Sequence, residues 1–415
     1  MTAWSPVWRL KINSVEYTDV TLANLTISSG RTNIYEQAQA GYANVNLIIL
    51  NQAAILIGIN DSLSIELQDS TATYIPIFGG SVVDVAIEVT EAGSVAYTQT
   101  VNIIALGALS RLPKALTNGV LIQDFDGNQI LEILRPLLLT QWQSVPAALQ
   151  WNAYDPVKTW ATVTNSGLGE IDTPGNYELA QRSSNRTDVY SLVSALATSG
   201  LGYLYEDSAG LISYADSTHR TTYLQINGYT ELSANQALAS GIKIQTRAGD
   251  VRNDITLKYG TNSTNEVSAT DPASIALYGD LAQIITTTVK HSADASDQAA
   301  FYLDLRAYPK PNFNSITFAL TNPEVDDLDR DALINIFMGL PVSIIDLPLN
   351  MSSGAFQGFV EGWTFSASYN ELSLTFLASP LAYSLQAMRW NDVPIVEAWN
   401  TINPTLEWQY ATIVA

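Results

Sequence analysis

The sequence predicts a mainly β protein with an α+β middle region. Two antiparallel β-barrel or sandwich domains, related by internal duplication, flank a small helix-hairpin domain. Three observations carry this: period-two alternation dominates both ends of the chain, helical periodicity is concentrated between them, and one β pattern occurs twice. Its first copy is Leu63-Ser64-Ile65-Glu66-Leu67, a turn, Phe78-Gly79-Gly80-Ser81-Val82 with alternation to Val89, then Val101-Asn102-Ile103-Ile104-Ala105-Leu106. Its second is Val342-Ser343-Ile344-Ile345-Asp346, a turn, Phe356-Gln357-Gly358-Phe359-Val360 with alternation through Trp363 and Phe365 to Ala367, then Leu372-Ser373-Leu374-Thr375-Phe376-Leu377.

In both copies a Phe-x-Gly-x-Val segment opens a strand whose side chains alternate faces, so Val82, Val85 and Ile87 correspond to Val360, Trp363 and Phe365. The shared glycine lacks a Cβ, which permits a bend or a close backbone approach where the strand begins. A duplicated unit in one chain implies pseudo-symmetry in an assembly.

Within a first β domain, residues 1–110, strands are expected at Trp8 to Val15, Val20 to Ile27, Val45 to Leu50 and Leu63 to Leu67, followed by the Gly80 hairpin. The stretch Ile34 to Gly41 reads as a short helix or a loop. Arg111-Leu112-Pro113-Lys114 leads into an α+β domain, residues 111–239. There Asn128 is the expected N-cap of a helix through Ile130, Leu131, Ile133 and Leu134, and Pro136 is expected to end or bend it. A clearer helix follows Asp188: Val189, Leu192, Val193 and Leu196 form one apolar stripe, with Gly200 as a left-handed C-cap. The hairpin from Leu201 to Glu206 and Leu211 to Tyr214 is expected to receive that stripe.

A second β domain, residues 240–385, opens with strands at Ile242 to Thr246 and Asp254 to Tyr259, a loop over Gly260 to Thr270, and a helix starting at Asp271-Pro272. Further elements are a strand at Ile284 to Val289 and a helix from Asp294 to Tyr308 with Ala300, Leu303 and Ala307 on one face. Alternation returns from Asn314 to Leu320, and a short helix is expected from Asp329 to Met338. Residues 386–415 read as an extended arm whose Trp390, Trp399 and Trp408 are candidate anchors on a partner, because a solvated tail does not call for three tryptophans.

Composition narrows the function classes. The 415 residues hold no cysteine, which removes disulfide scaffolds, thiolate metal sites and cysteine nucleophiles and suits assembly in a reducing cytoplasm. A formal charge of −21 argues against gripping nucleic acid through its phosphates. Charged residues are only 14% of the chain and hydrophobic ones 47%, a balance that favours a subunit covered by neighbours. No apolar run approaches the roughly 20 residues of a bilayer span, and Met1-Thr2-Ala3-Trp4 does not begin a signal peptide.

No catalytic, cofactor or metal site is expected. His219 and His291 stand in Thr-His-Arg and Lys-His-Ser contexts without a second ligand nearby in sequence, and both read as exposed polar residues. Asp124-x-Asp126-Gly127-Asn128 lacks the ligand spacing and closing glutamate of a calcium loop and reads as a turn and helix cap. Asp326, Asp327, Asp329 and Asp331 fit a helix N-terminus better than an acid-base pair. Trp142, Trp151 and Trp160 could stack on sugars, although core or subunit contact explains them as well.

Several segments resemble tail hub proteins of bacteriophages: Asn253-Asp254-Ile255-Thr256-Leu257-Lys258-Tyr259-Gly260, Tyr278-Gly279, the helix Ala295 to Arg306 running into Tyr308-Pro309, Gly339-x-Pro341-Val342, and Gly358-Phe359-Val360-Glu361-Gly362. The module from Asp188 to Tyr214 looks like their middle domain. The resemblance implies a structural, non-enzymatic virion protein of the tail, assembled in the host cytoplasm as a homotrimer. Its two tube-like domains per chain would make a pseudo-sixfold ring that joins a hexameric tail tube or distal tail protein to a threefold tip or fibre protein. Genome DNA would pass through that ring without specific binding. The alternative is a receptor- or carbohydrate-binding tail tip component that uses the tryptophan-rich middle stretch.

Overall fold

The computed structural model describes residues 4–381 except 19, 50–54, 93–96, 142–149, 152–167, 239–241, 311, 350, 352–353 and 369–370. The first β region comprises β1 (Trp8–Ile12), β2 (Val15–Glu16), β3 (Val20–Gly30), β4 (Gln39–Ile49), β5 (Ser62–Gln68), β6 (Tyr74–Ala92) and β7 (Tyr97–Leu106). The middle region carries β8 (Leu116–Thr117), β9 (Asp124–Phe125), α1 (Asp126–Gln141), β10 (Gln150–Trp151), β11 (Leu168–Asp172), β12 (Glu178–Leu179) and β13 (Thr187–Asp188). It continues through α2 (Val189–Ser199), β14 (Tyr203–Glu206), β15 (Ile212–Ala215), α3 (His219–Asn227) and β16 (Thr230–Ser233). The last part contains β17 (Lys243–Gln245), β18 (Asp254–Tyr259), β19 (Asn265–Thr270), α4 (Pro272–Tyr278), β20 (Ala282–Thr286) and α5 (Ser292–Arg306). It ends with β21 (Asn312–Ala319), α6 (Asp327–Ile334), β22 (Pro341–Ile345), β23 (Phe356–Ser368) and β24 (Glu371–Pro380).

The duplication organises the large sheet, whose thirteen strands run through both β regions. In the first, the neighbours are β3-β4-β7-β6-β5-β1; in the second they are β17-β21-β24-β23-β22-β16, the same order. One difference is that β1 runs antiparallel to β5 whereas β16 runs parallel to β22. The two copies meet where β3 pairs with β23, so they form one sheet rather than two separate ones. Inward residues of both copies, among them Ile27, Val45, Ile65 and Ile103 with Phe318, Ile344, Phe365 and Phe376, share one apolar cluster. Alternation put these side chains on one face, and their burial supplies the main drive for folding the sheet around that cluster.

In the middle region Asp188 caps α2 by accepting a hydrogen bond from the Ser191 N–H, and Val189, Leu192, Val193 and Leu196 pack with Leu204, Ile212 and Tyr214 of the hairpin as expected. Residues Asp254–Arg306 form a smaller unit in which β18 lies between antiparallel β19 and parallel β20. Ala295 and Ala299 of α5 cover Ile255 and Leu257 there.

Several local expectations are corrected. The first helix begins at Asp126 rather than after Asn128, because Asp126 is drawn inward by Tyr177 and Tyr214, and it runs past Pro136 to Gln141. Gly200 ends α2 at φ −83° rather than left-handed; Leu201, at φ 52°, makes the positive-φ turn instead. Residues 265–270 form β19, a strand that pairs with β18 despite its polar sequence, since one of its faces is left to solvent. On α5 the buried residues are Ala295, Gln298, Ala299, Leu305 and Arg306; of the expected face, Ala307 is buried and Leu303 packs against the same cluster, whereas Ala300 is exposed. Of the stretch Ile34 to Gly41, residues 34–38 are a loop, the second of the two readings, and Gln39 to Gly41 already belong to β4; the last helix spans Asp327–Ile334 instead of ending at Met338.

Candidate assembly surface

Register, more than strand order, establishes the equivalence of the two sheet copies. Leu63, Ser64 and Ile65 face Gly80, Gly79 and Phe78; Val342, Ser343 and Ile344 face Gly358, Gln357 and Phe356. Beyond that, Val82 pairs with Ala105 and Val360 with Ala378, and both ladders then skip one residue before Asp84 pairs with Ile104 and Gly362 with Leu377. The same bulge therefore sits at Val83 and at Glu361. Bulges bend and re-aim a strand, and one at the same place in both copies gives them the same curvature.

The paired glycines of the Phe-x-Gly-x-Val segments serve a close backbone approach. A Cβ at Gly80 would lie 2.5 Å from the Leu106 carbonyl oxygen, and one at Gly358 would lie 2.1 Å from that of Ser379. Gly79 is held as tightly from the other side: its Cβ would meet the Ala209 carbonyl oxygen at 1.8 Å, where the middle hairpin turns against the sheet.

At the second bulge the edge of β23 changes partner. Phe356 to Phe359 pair with β22, and Gly362 to Ala367 pair with β3. Glu361, at the switch, is fully buried and receives Arg31 Nε at 2.7 Å, with Arg220 Nη1 and Nη2 at 2.8 and 3.0 Å. The Ser379 hydroxyl also donates to it. Burial alone would push the Glu361 carboxyl up, but the two guanidiniums outweigh it and hold the carboxyl down at about 2. Arg220 lies over the Tyr203 ring, 4.4 Å from its centroid. These residues lock together the end of β3, the bulge of β23 and helix α3, one from each part of the chain.

A second buried contact ties the hairpin to the first sheet copy. Glu206, at the end of β14, accepts a hydrogen bond from the Gly41 N–H at 2.6 Å and another from the Leu109 N–H. Burial raises its carboxyl to about 8 even though both N–H groups oppose the rise. Asp126 is likewise raised to about 7 by burial, while accepting from the Tyr177 N–H at 2.8 Å and from the Tyr214 hydroxyl.

The residues singled out from sequence fall in different places. His219 is a correction: it is buried, with Nδ1 2.7 Å from Asp172 Oδ2, because α3 turns it inward beneath β11. Burial alone would lower its pKa, but Asp172, Glu170 and Asp216 outweigh that and raise it to about 9. Glu170, Asp172 and His219 have ligand-type atoms within 4.8 Å of one another and are the set among the described residues that could hold a metal ion. Within this set Asp172 Oδ2 already meets His219 Nδ1 and accepts from the Asp216 N–H at 3.0 Å.

His291 is exposed, as expected, and its Nε2 sits 2.6 Å from Glu178. Asp326 caps α6 through the Asp329 N–H, with Asp327 and Asp329 in the first turn. Trp142, Trp160, Trp390, Trp399 and Trp408 lie outside the described residues; Trp151 lies in β10, opposite Asp172 of β11. Sequence reading missed Arg31, Arg220, Glu206 and Glu361. A signal existed for the last: a lone carboxylate inside Phe359-Val360-Glu361-Gly362-Trp363 must find a cationic partner if the strand is buried.

No protein-family model matches the sequence, and no curated protein does. Solved structures do match by fold. A tail protein from Neisseria meningitidis is similar with a TM-score of 0.59 at 10% identity, over 92% of this chain and 98% of that one. The 43 kDa tail protein of prophage MuSo2 from Shewanella oneidensis is similar with a TM-score of 0.51 at 13% identity, over 92% of this chain and 99% of that one. Both likenesses span nearly whole chains, so the arrangement of all the regions, and not one module, is shared.

Proposed function

We propose that this chain is a structural, non-enzymatic component of a phage-type tail, acting as a trimeric hub. Three copies contribute six equivalent sheet units to a pseudo-sixfold ring that joins a hexameric tail tube to a threefold tip. The observation that carries this is the repeated sheet unit with equal strand order, equal register and the same bulge. Two units related in this way inside one chain have a use where threefold and sixfold symmetry must be matched, since three chains then present six like surfaces. The whole-chain similarity to two tail proteins supports the same reading.

The charge of −21 suits a ring through which DNA slides, because like charges repel over the ~8 Å screening length of physiological salt. Trp390, Trp399 and Trp408 would anchor residues 386–415 on a neighbouring tail protein. Among the described residues no helix is long and apolar enough to cross a membrane.

The test is the mass and symmetry of the purified protein. Light scattering should give three chains, and class averages from electron microscopy should show a ring with six sheet lobes and a central opening. A monomer at high concentration, or a closed dimer, would refute the reading.

A further inference from the structure

We propose that the edge of β6 beyond its bulge is the docking site for β17 of a second copy of this chain, in a register that the molecule already displays internally. The inference rests on the ring reading above and names the joint between subunits. Within one chain, the first sheet copy meets the second through β3 and the post-bulge half of β23, with Thr364 opposite Ser28, Phe365 opposite Ile27 and Ser366 opposite Thr26. The equivalent half of β6 pairs with β7 on one edge; on the other, β5 reaches only to Ser81, and no strand follows it among the described residues. The equivalent of β3 in the second copy is β17, which pairs with β21 on one edge and has no strand along the other among the described residues.

Register fixes which residues would meet. Through their partners, Thr364, Phe365 and Ser366 of β23 correspond to Ala86, Ile87 and Glu88 of β6. By the same tracing through β4 and β21, Thr26, Ile27 and Ser28 of β3 correspond to Lys243, Ile244 and Gln245 of β17. Copying the internal joint to the subunit joint therefore sets Ala86 opposite Gln245, Ile87 opposite Ile244 and Glu88 opposite Lys243.

The side chains agree with that register, which strand order alone did not require. The internal apolar pair Phe365 and Ile27 is buried, at 1% and 0% exposure, while Ile87 at the equivalent place is 65% exposed. A second copy bringing Ile244 would cover it. The internal pair Ser366 and Thr26 is solvent-facing, and its counterpart is an exposed carboxylate opposite an exposed ammonium, Glu88 and Lys243. Two residues further on, where Gly362 faces Gly30 internally, the same count places Asp84 opposite Arg247, whose backbone is extended at φ −125° and ψ 128°. Two opposite-charge pairs and one apolar pair thus fall in step. The joint is head-to-tail, so a rotation that closes makes a ring.

The absence of native cysteine makes the test direct. Chains carrying Glu88→Cys with Lys243→Cys, or Ala86→Cys with Gln245→Cys, should form intermolecular disulfides under mild oxidation and run on a non-reducing gel as species of up to three chains. Ala86→Cys with Lys243→Cys, two residues out of step, should link far less. Glu88→Lys should weaken association roughly two- to five-fold per joint, and adding Lys243→Glu should restore it.

A protein that still measures three chains but neither links in register nor shows charge-swap rescue would overturn this joint and leave the ring reading intact. A chain that stays monomeric and does not link would overturn both. Single-cysteine controls with unchanged circular dichroism exclude misfolding as the cause of a negative result.

Discussion

Glu361→Gln is expected to unlock the junction between the three parts of the chain. The carboxylate receives three guanidinium nitrogens within 3.0 Å in a site closed to water. Its folded value of about 2 lies below the ordinary 4.5. At ~1.4 kcal/mol per pH unit that gap is worth ~3 kcal/mol. Because the folded value is depressed, this stability is present above about pH 4.5 and is lost as the pH falls toward 2. Glutamine keeps the shape but leaves Arg31 and Arg220 buried without a counter-charge, a change that costs about 3–5 kcal/mol.

Urea unfolding followed by tryptophan fluorescence at pH 7 should show that loss. At pH 3 the gap between the two proteins should narrow, since the native carboxyl has by then given up much of its advantage. A loss under ~1 kcal/mol at pH 7, or a gap equal at both pH values, would refute the assignment of Glu361 as the counter-charge of this cluster.

Other expectations concern neighbouring features. Glu206, whose folded value of about 8 lies above its ordinary 4.5, should contribute stability that is complete below about pH 4.5 and lost as the pH rises through 8; a thermal-melt series should show Glu206→Gln gaining on the native protein between pH 5 and pH 9. Phe365→Ala should cost about 3–5 kcal/mol, whereas Ile87→Ala, at the equivalent place on an edge with no further strand among the described residues, should cost under ~0.5 kcal/mol in an isolated chain and show its effect in assembly mass instead. Gly79→Ala drives a methyl into the Ala209 carbonyl and should separate the middle hairpin from the sheet, read as new protease cleavage near residues 207–211 together with a lowered melting temperature. Deleting residues 386–415 should leave the ring intact and release a neighbouring tail protein from particles; collapse of the ring would show that the arm is a clasp between subunits.

Period-two alternation, turn residues and the repeated Phe-x-Gly-x-Val segment were enough to read the strands and their duplication from the sequence, because side-chain parity along a strand is a local property. Helix α2 was legible for the same kind of reason: its cap at Asp188 and its apolar stripe lie within one short segment. Tertiary structure alone decided the rest. That Asp126 enters its helix, that His219 is buried against Asp172 and that polar residues 265–270 become a strand depends on partners 88, 47 and 6 to 16 positions away respectively. The cluster of Arg31, Arg220 and Glu361 shows the limit most clearly: its first and last members stand 330 positions apart, and no local pattern encodes which charges a closing sheet will bring together. Sequence determined which face of each strand is apolar; only the pairing of β3 with β23 determined which edge was left open.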